Sequence, residues 1–299
     1  MLNKICINER YKVCQNIFEI FKSHEISHAV IKGAVLSKII HNDIYYRKSG
    51  DIDILINRKD IDKVKSIMLN DGFIQGYVTD AGIVQFTRSE LIFQSTMSHQ
   101  MASFIKKTTN PICPYVNVDI NFDILWGENK VKCDMDYVLS HKQEVEICGQ
   151  NITKLSTEME FVTLCLHHYK DMNSIYLLSQ GSLKLSLFDD IYNYLVNSLI
   201  DTENLQNICN YLNVSDYVYY CVYYCNEIFN DNRLIEYLNL LKTENSDSIL
   251  NTFGLADNEI KEWKVSFFDR LYMNDLNNYF DKHLSEKDLK KIKINKSFM

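Results

Sequence analysis

Only two prolines, Pro111 and Pro114, occur in the 299 residues of the sequence. Proline breaks helices and interrupts strand ladders, so its scarcity predicts nearly continuous secondary structure outside that one loop. Glycine is also sparse, at nine residues, and no Gly/Ser-rich stretch provides a flexible linker. The nine cysteines (6, 14, 113, 133, 148, 165, 209, 221 and 225) include no C-x-x-C pair. That removes the usual sequence support for a zinc site or thioredoxin-like chemistry. Cys221 and Cys225, one helical turn apart, read as buried thiols, and free thiols fit a reducing cytoplasm. No apolar run approaches the roughly 18 residues of a membrane span, and the opening MLNKICINERYKVC has no apolar signal core. The expectation is a cytoplasmic protein with no membrane partner. Positive charge is short as well: 32 Lys and Arg stand against 39 Asp and Glu, a net charge of -7. A general nucleic-acid binder needs the opposite balance to displace counterions, although a single nucleotide needs only a local cluster of donors.

What is present is ordinary globular material, 46% hydrophobic and 24% charged, enough for a core without staples. The first half alternates helical and strand periods. ERYKVCQNIFEIFKSH has Val13, Ile17, Ile20 and Phe21 at helical spacing. A short strand, 28–31, ends at Lys32-Gly33, a helix follows over 34–40, and 51–56 reads as a strand. An amphipathic helix over 59–70 closes at Asp71-Gly72. Between Phe73 and Trp126 the period falls to two, and GIVQFT, LIFQST and YVNVDINF read as strands. After about residue 155 the pattern is helical, with Thr157 and Glu160 spaced as a capping box. The expected architecture is α+β: a head over residues 1–150, then an all-helical domain over 151–299.

The chemistry centres on Asp51-Ile52-Asp53. Alternate residues of a strand share a face, so both carboxylates project to one side. Two carboxylates that close repel each other and are costly to bury unpaired. Hard oxygen ligands of this kind suit Mg2+ or Mn2+ better than zinc. A lone D-x-D is equally the end of a solvated strand, but three neighbours strengthen the metal reading. Lys32-Gly33-Ala34 lies at a strand-to-helix junction, where free N–H groups and the helix dipole cradle phosphate. Arg47 stands four residues before Asp51. Asp119, flanked by Val118 and Ile120, sits in a later strand; beside the first, it completes a three-carboxylate site for two ions. Such a site suits phosphoryl or nucleotidyl transfer, with Asp119 as general base.

AVIKGAVLSKIIHNDIYYRKSGDIDILI resembles the signature of the uncharacterised bacterial nucleotidyltransferase family within the DNA polymerase β superfamily. Lys32, Gly33, Arg47, Asp51, Ile52, Asp53 and Leu55 match its KG…R-x-x-x-DIDLLV pattern. YVNVDINFDILW is similar to its V-D-I-H-W strand, with Asp119 as the third carboxylate, and His99 in SHQMASF also fits. FVTLCLHHYKD, LFDDIYNYL and WKVSFFDRL resemble its later helical motifs, so the likeness is close to full length. It implies a polymerase β-like head with a mixed sheet and flanking helices. Catalytic and metal-binding roles fall to Asp51, Asp53 and Asp119, and nucleotide contacts to Lys32, Gly33, Ala34, Arg47 and His99. Asn121 replaces the family's histidine, Ala34 stands where the wider superfamily prefers serine, and the interval from Gly33 to Asp51 is longer than in the general signature.

Rival residues have blander readings. His167 and His168, on an apolar helix, read as structural histidines, and Asp190 as a helix-pairing residue. The run Tyr217 to Tyr224 reads as packing between helices rather than a base-stacking platform. Asp123 rivals Asp119 as third carboxylate if the strand persists. The implied function is transfer of a nucleoside monophosphate from an NTP, ATP first among donors, to an unknown acceptor (a small metabolite, a peptide or a protein hydroxyl). The alternatives are a toxin-type nucleotidyltransferase acting on RNA or protein and a silent nucleotide-binding scaffold.

Overall fold

The computed structural model describes residues 1–127, 132–256, 258–273 and 275–296. They form two compact units, residues 1–127 with 132–160, and residues 161–296.

The first unit opens with α1 (Leu2–Ser23), which buries Ile7, Tyr11, Cys14, Ile17 and Phe21. Its apolar stripe is therefore centred a little to one side of the predicted one: Val13 is only partly buried against the core. Then come β1 (His28–Ile31), α2 (Gly33–His41), β2 (Asp51–Ile56) and α3 (Ile61–Asn70). β3 (Ile74–Thr79), β4 (Gly82–Gln85), α4 (Arg88–Met97), β5 (Phe104–Lys107) and β6 (Tyr115–Asn121) follow. The unit ends with α5 (Met135–Ser140), the β7 (Lys142–Ile147) and β8 (Gln150–Leu155) hairpin, and the first turn of α6 (Thr157–Asn173). The hairpin straddles residue 150, and β8 lies alongside β1.

LIFQST, expected to be a strand, is helical within α4. Local capping outweighs its alternating pattern. The Thr87 hydroxyl accepts from the Glu90 N–H, and Glu90 reaches back to the Thr87 N–H, a reciprocal box that satisfies two otherwise orphaned donors.

The six-stranded sheet has the order β1-β2-β6-β5-β3-β4. β2 and β6 are parallel and the other neighbours antiparallel, so the sheet is mixed as expected. Along β2 and β6 the even-numbered residues Ile52, Ile54, Ile56, Val116, Val118 and Ile120 join the core built on α1 and α3. The strand period then sends the odd-numbered residues, Asp51, Asp53, Asp119 and Asn121 among them, to the opposite face. The three aspartates thus lie on the face turned away from that core.

Among its described residues, the second unit is helical apart from one pair of two-residue strands. It holds the rest of α6, then α7 (Ile175–Leu178), α8 (Leu185–Asn197), α9 (Thr202–Leu212), α10 (Ser215–Phe229), α11 (Ile235–Leu241) and α12 (Ser246–Ile249). β9 (Thr252–Phe253) and β10 (Lys261–Glu262) precede α13 (Phe267–Leu271), α14 (Leu276–His283) and α15 (Glu286–Lys296). The tyrosine run of α10 is packing: Tyr219, Tyr220 and Tyr224 are buried, and Tyr220 meets Tyr169 edge-on at 5.1 Å. Cys221 and Cys225 are buried free thiols. In WKVSFFDRL, the buried Arg270 guanidinium lies 5.0 Å from the Trp263 ring centre and 5.3 Å from that of Phe267. The motif folds around a cation sheathed in aromatic faces.

Candidate active site

β2 and β6 set the geometry. In their parallel register Asp53 is the direct partner of Asp119, and Asp51 is the partner of Asn117. Asp51, Asp53 and Asp119 therefore share one face of two adjacent strands. Asp53 is 8% exposed, while Asp51 and Asp119 are half-buried. Burial raises the Asp51 pKa, and the Asp53 charge raises it further. Asp119 is pushed up to about 6, first by burial and then by Asp53 and Asp51, against a hydrogen bond from Ser103 that favours the ionised form. The triplet is a patch of like charge short of cations.

One cation is built in. Lys32 Nζ lies 3.1 Å from Asp53 Oδ1, and the same oxygen accepts from Asn121 Nδ2 at 3.2 Å. The residue that replaces the family's histidine thus serves as a neutral donor to a site carboxylate. The three aspartates are not drawn into a closed cage: among the described residues, the His/Cys/Asp/Glu group with ligand atoms all within 4.8 Å is His167, His168 and Asp171.

Lys32 also caps α2 with its backbone at φ 58°, ψ -151°. That strained conformation is costly for a residue with a side chain and needs surrounding support. Support comes from Glu160, whose Oε1 accepts from the Lys32 N–H at 3.2 Å. The start of α6 is capped one residue before the expected Thr157: Ser156 Oγ accepts from the Met159 N–H and the Ser156 carbonyl from the Glu160 N–H, while the Glu160 carboxylate turns to Lys32 and its Oε2 is buried without a partner. Burial lifts its pKa to about 7, against the pull of Lys154. Gly33 follows at φ 46°, and a β-carbon there would stand 3.0 Å from Ser49 Oγ. Only glycine fits there without strain. Ala34 is buried in the first turn of α2.

The long loop to Asp51 is pinned at several points. Asn42 ends α2 in the left-handed conformation. The Ser37 hydroxyl donates to the Asp43 carbonyl and accepts from the Arg47 N–H, and Asn3 Nδ2 donates to the Arg47 carbonyl. These bonds hold the half-buried Arg47 on the approach to β2. Arg10 of α1 donates to the Ser49 carbonyl at 2.6 Å, and its positive charge favours ionised Asp51. The His99 carbonyl accepts from the Phe122 N–H at 2.9 Å, which ties His99 to the chain just past the end of β6.

Asp123 is committed elsewhere. Its Oδ2 takes Arg58 Nη2 at 3.2 Å and its Oδ1 accepts from the Leu125 N–H. It is a paired structural carboxylate, so the third carboxylate on the shared face is Asp119. Arg10 and Ser103 carry no sequence signal, because each comes from a distant element and neither sits in a local pattern; Glu160 is legible only as a helix-capping residue, not as a partner of Lys32. His168 Nε2 and Asp190 Oδ2 pair at 3.3 Å.

The model of a family described as uncharacterised nucleotidyltransferases matches residues 10–230. The chain belongs to that family. The match spans Lys32-Gly33, Arg47, the D-I-D strand, Asp119 and the motifs of α6 and α8. No curated protein matches this nucleotidyltransferase. Among solved structures, it is similar to an antigenic nucleotidyltransferase-like protein from Paracoccidioides brasiliensis, at 15% identity and a TM-score of 0.44. That likeness covers 80% of this chain and 92% of the other.

Proposed function

We propose that the chain transfers a nucleoside monophosphate from a nucleoside triphosphate, ATP first among donors, to an acceptor hydroxyl and releases pyrophosphate. The observation that carries this reading is the register of β2 on β6: three carboxylates on one sheet face, beside a strained strand-to-helix junction.

The donor set fits Mg2+ or Mn2+. It is all hard oxygen, and Asp51 and Asp119 have pKa values raised by burial and mutual repulsion that the nearby charges of Lys32 and Arg10 do not cancel. Asp51, Asp53 and Asp119 would hold the ions, two in the full reading. When bound, they would neutralise charge on the triphosphate and on the leaving pyrophosphate.

The chain's own residues do the rest. The N–H groups of Gly33 and Ala34 bind phosphate oxygens at the positive end of α2. Lys32 Nζ and Arg47 bring positive charge to the triphosphate, and His99 flanks it from beyond β6. An Asp119 carboxylate oxygen takes the proton of the acceptor hydroxyl. The new bond joins the acceptor oxygen to the α-phosphorus, the bond from that phosphorus to the bridging oxygen breaks, and its electron pair leaves with pyrophosphate. Asn121 Nδ2, donating to Asp53 Oδ1, orients that carboxylate. The acceptor is a small metabolite or a peptide or protein hydroxyl; the net charge of -7 disfavours long RNA.

The test uses magnesium and NTPs labelled at the α-phosphate, with pools of metabolites and peptides as acceptors. The expected result is label transfer matched by pyrophosphate release, both lost in Asp53→Asn. Release that persists undiminished in that variant would overturn the assignment.

A further inference from the structure

α6 carries His167, His168 and Asp171 within little more than one helical turn. One ligand atom from each lies within 4.8 Å of the other two. His167 Nε2 is 3.5 Å from Asp171 Oδ2. His168 is 3% exposed; its Nε2 faces Asp190 Oδ2 of α8 at 3.3 Å, and its Nδ1 is buried without a hydrogen-bond partner. Lys170 Nζ approaches the other Asp171 oxygen only to 3.8 Å.

We propose that this cluster binds a divalent transition-metal ion of the zinc type, with His167, His168 and Asp171 as ligands and Asp190 orienting His168 from outside the coordination shell. The argument begins with the tautomer. A carboxylate at Nε2 favours the proton there, which leaves a lone pair on Nδ1. Buried and unmatched, that lone pair has lost its water and gained nothing in return. A metal ion supplies the missing partner, and the carboxylate on the far nitrogen is the arrangement that metal-bound histidines use to fix ring and tautomer. Two imidazoles with one carboxylate are a zinc donor set, and they leave a fourth coordination position for solvent or substrate. Magnesium, which prefers oxygen alone, is the wrong ion here. The cluster therefore differs in chemistry from the aspartates of the first unit, and the proposal does not depend on the reading of that site. The competing account is a His167–Asp171 helix pair beside an inert buried histidine.

The experiment uses the full chain carrying Asp51→Asn and Asp53→Asn, so that the first unit's carboxylates do not compete. It is stripped with chelator, checked for folding by circular dichroism, and titrated with zinc chloride in a calorimeter. We expect a single zinc ion per chain. His167→Ala and Asp171→Asn, both at half-buried positions, should each weaken zinc roughly 10–100-fold or more, and Asp190→Asn roughly 10–100-fold. Cobalt chloride in place of zinc should give visible ligand-field bands that vanish in His167→Ala. If His168→Ala fails to fold, the His167 and Asp171 variants still decide. A folded parent that takes up no zinc, or equal affinity in His167→Ala and Asp171→Asn, would overturn the proposal.

Discussion

Asp119→Asn should cost the protein its chemistry and increase its stability. In the metal-free protein, burial and the charges of Asp53 and Asp51 raise the Asp119 pKa to about 6, from 3.8 in an ordinary environment. A carboxyl raised in the folded state is stabilising while protonated, below the unfolded value, and that stability is lost as pH rises through the folded value. At pH 7 the ionised side chain therefore stands against folding, by about 3 kcal/mol if the whole shift counts. Coupling to Asp51 and partial solvation reduce this, and about 1–2 kcal/mol is the working figure. Asparagine removes the charge and keeps an oxygen for the Ser103 hydroxyl. Urea unfolding with chelator present should show the variant more stable at pH 7 by that amount. The gap should close as pH falls toward 4, where wild-type Asp119 is protonated. A variant that is equally or less stable at pH 7 would refute the view of the carboxylate face as a strained, charge-crowded surface.

Gly33→Ala forces a β-carbon to 3.0 Å from Ser49 Oγ at a φ of 46°, and should lower stability by about 1–2 kcal/mol in the same unfolding assay. Arg58→Ala leaves Asp123, whose side chain is 3% exposed, without its guanidinium partner. A loss of about 1–3 kcal/mol is expected, and full recovery in the Arg58→Ala/Asp123→Asn double variant would show that the orphaned charge is the cause. Glu160→Gln keeps an acceptor for the Lys32 N–H but removes a charge whose pKa is raised to about 7. Its stability should exceed that of wild type at pH 8, with the difference closing as pH falls through 7 toward 4.5, whereas Glu160→Ala should be destabilised throughout.

The residues of the carboxylate site were legible because their chemistry is local. The D-x-D spacing fixes two carboxylates on one face, and the Lys-Gly step marks a strand-to-helix junction. That Asp53 and Asp119 are direct partners is a fact of strand order, which no single segment contains. The same holds for Arg10, Ser103 and Glu160, which come from α1, the segment before β5 and the first turn of α6. Glu160 was legible as a residue but not in its role: its spacing from Thr157 read as helix capping, while the strained Lys32 backbone supplied the stronger claim. The strand expected at LIFQST fails for the converse reason: a Thr87–Glu90 box acts over three residues, and alternating hydrophobicity is weak over six. Asn121 departs from the family pattern in the sequence, and only the fold shows that it donates to Asp53.

The central claim is that Asp51, Asp53 and Asp119 form a metal-dependent nucleotide site. Its most direct test is calorimetric titration of each NTP, with and without magnesium, into wild type and into Asp51→Ala/Asp53→Ala. The account predicts binding of at least one NTP that requires magnesium and is abolished in the double variant, with circular dichroism unchanged. Binding that ignores magnesium or survives the double substitution, or no binding to folded wild type, would contradict it.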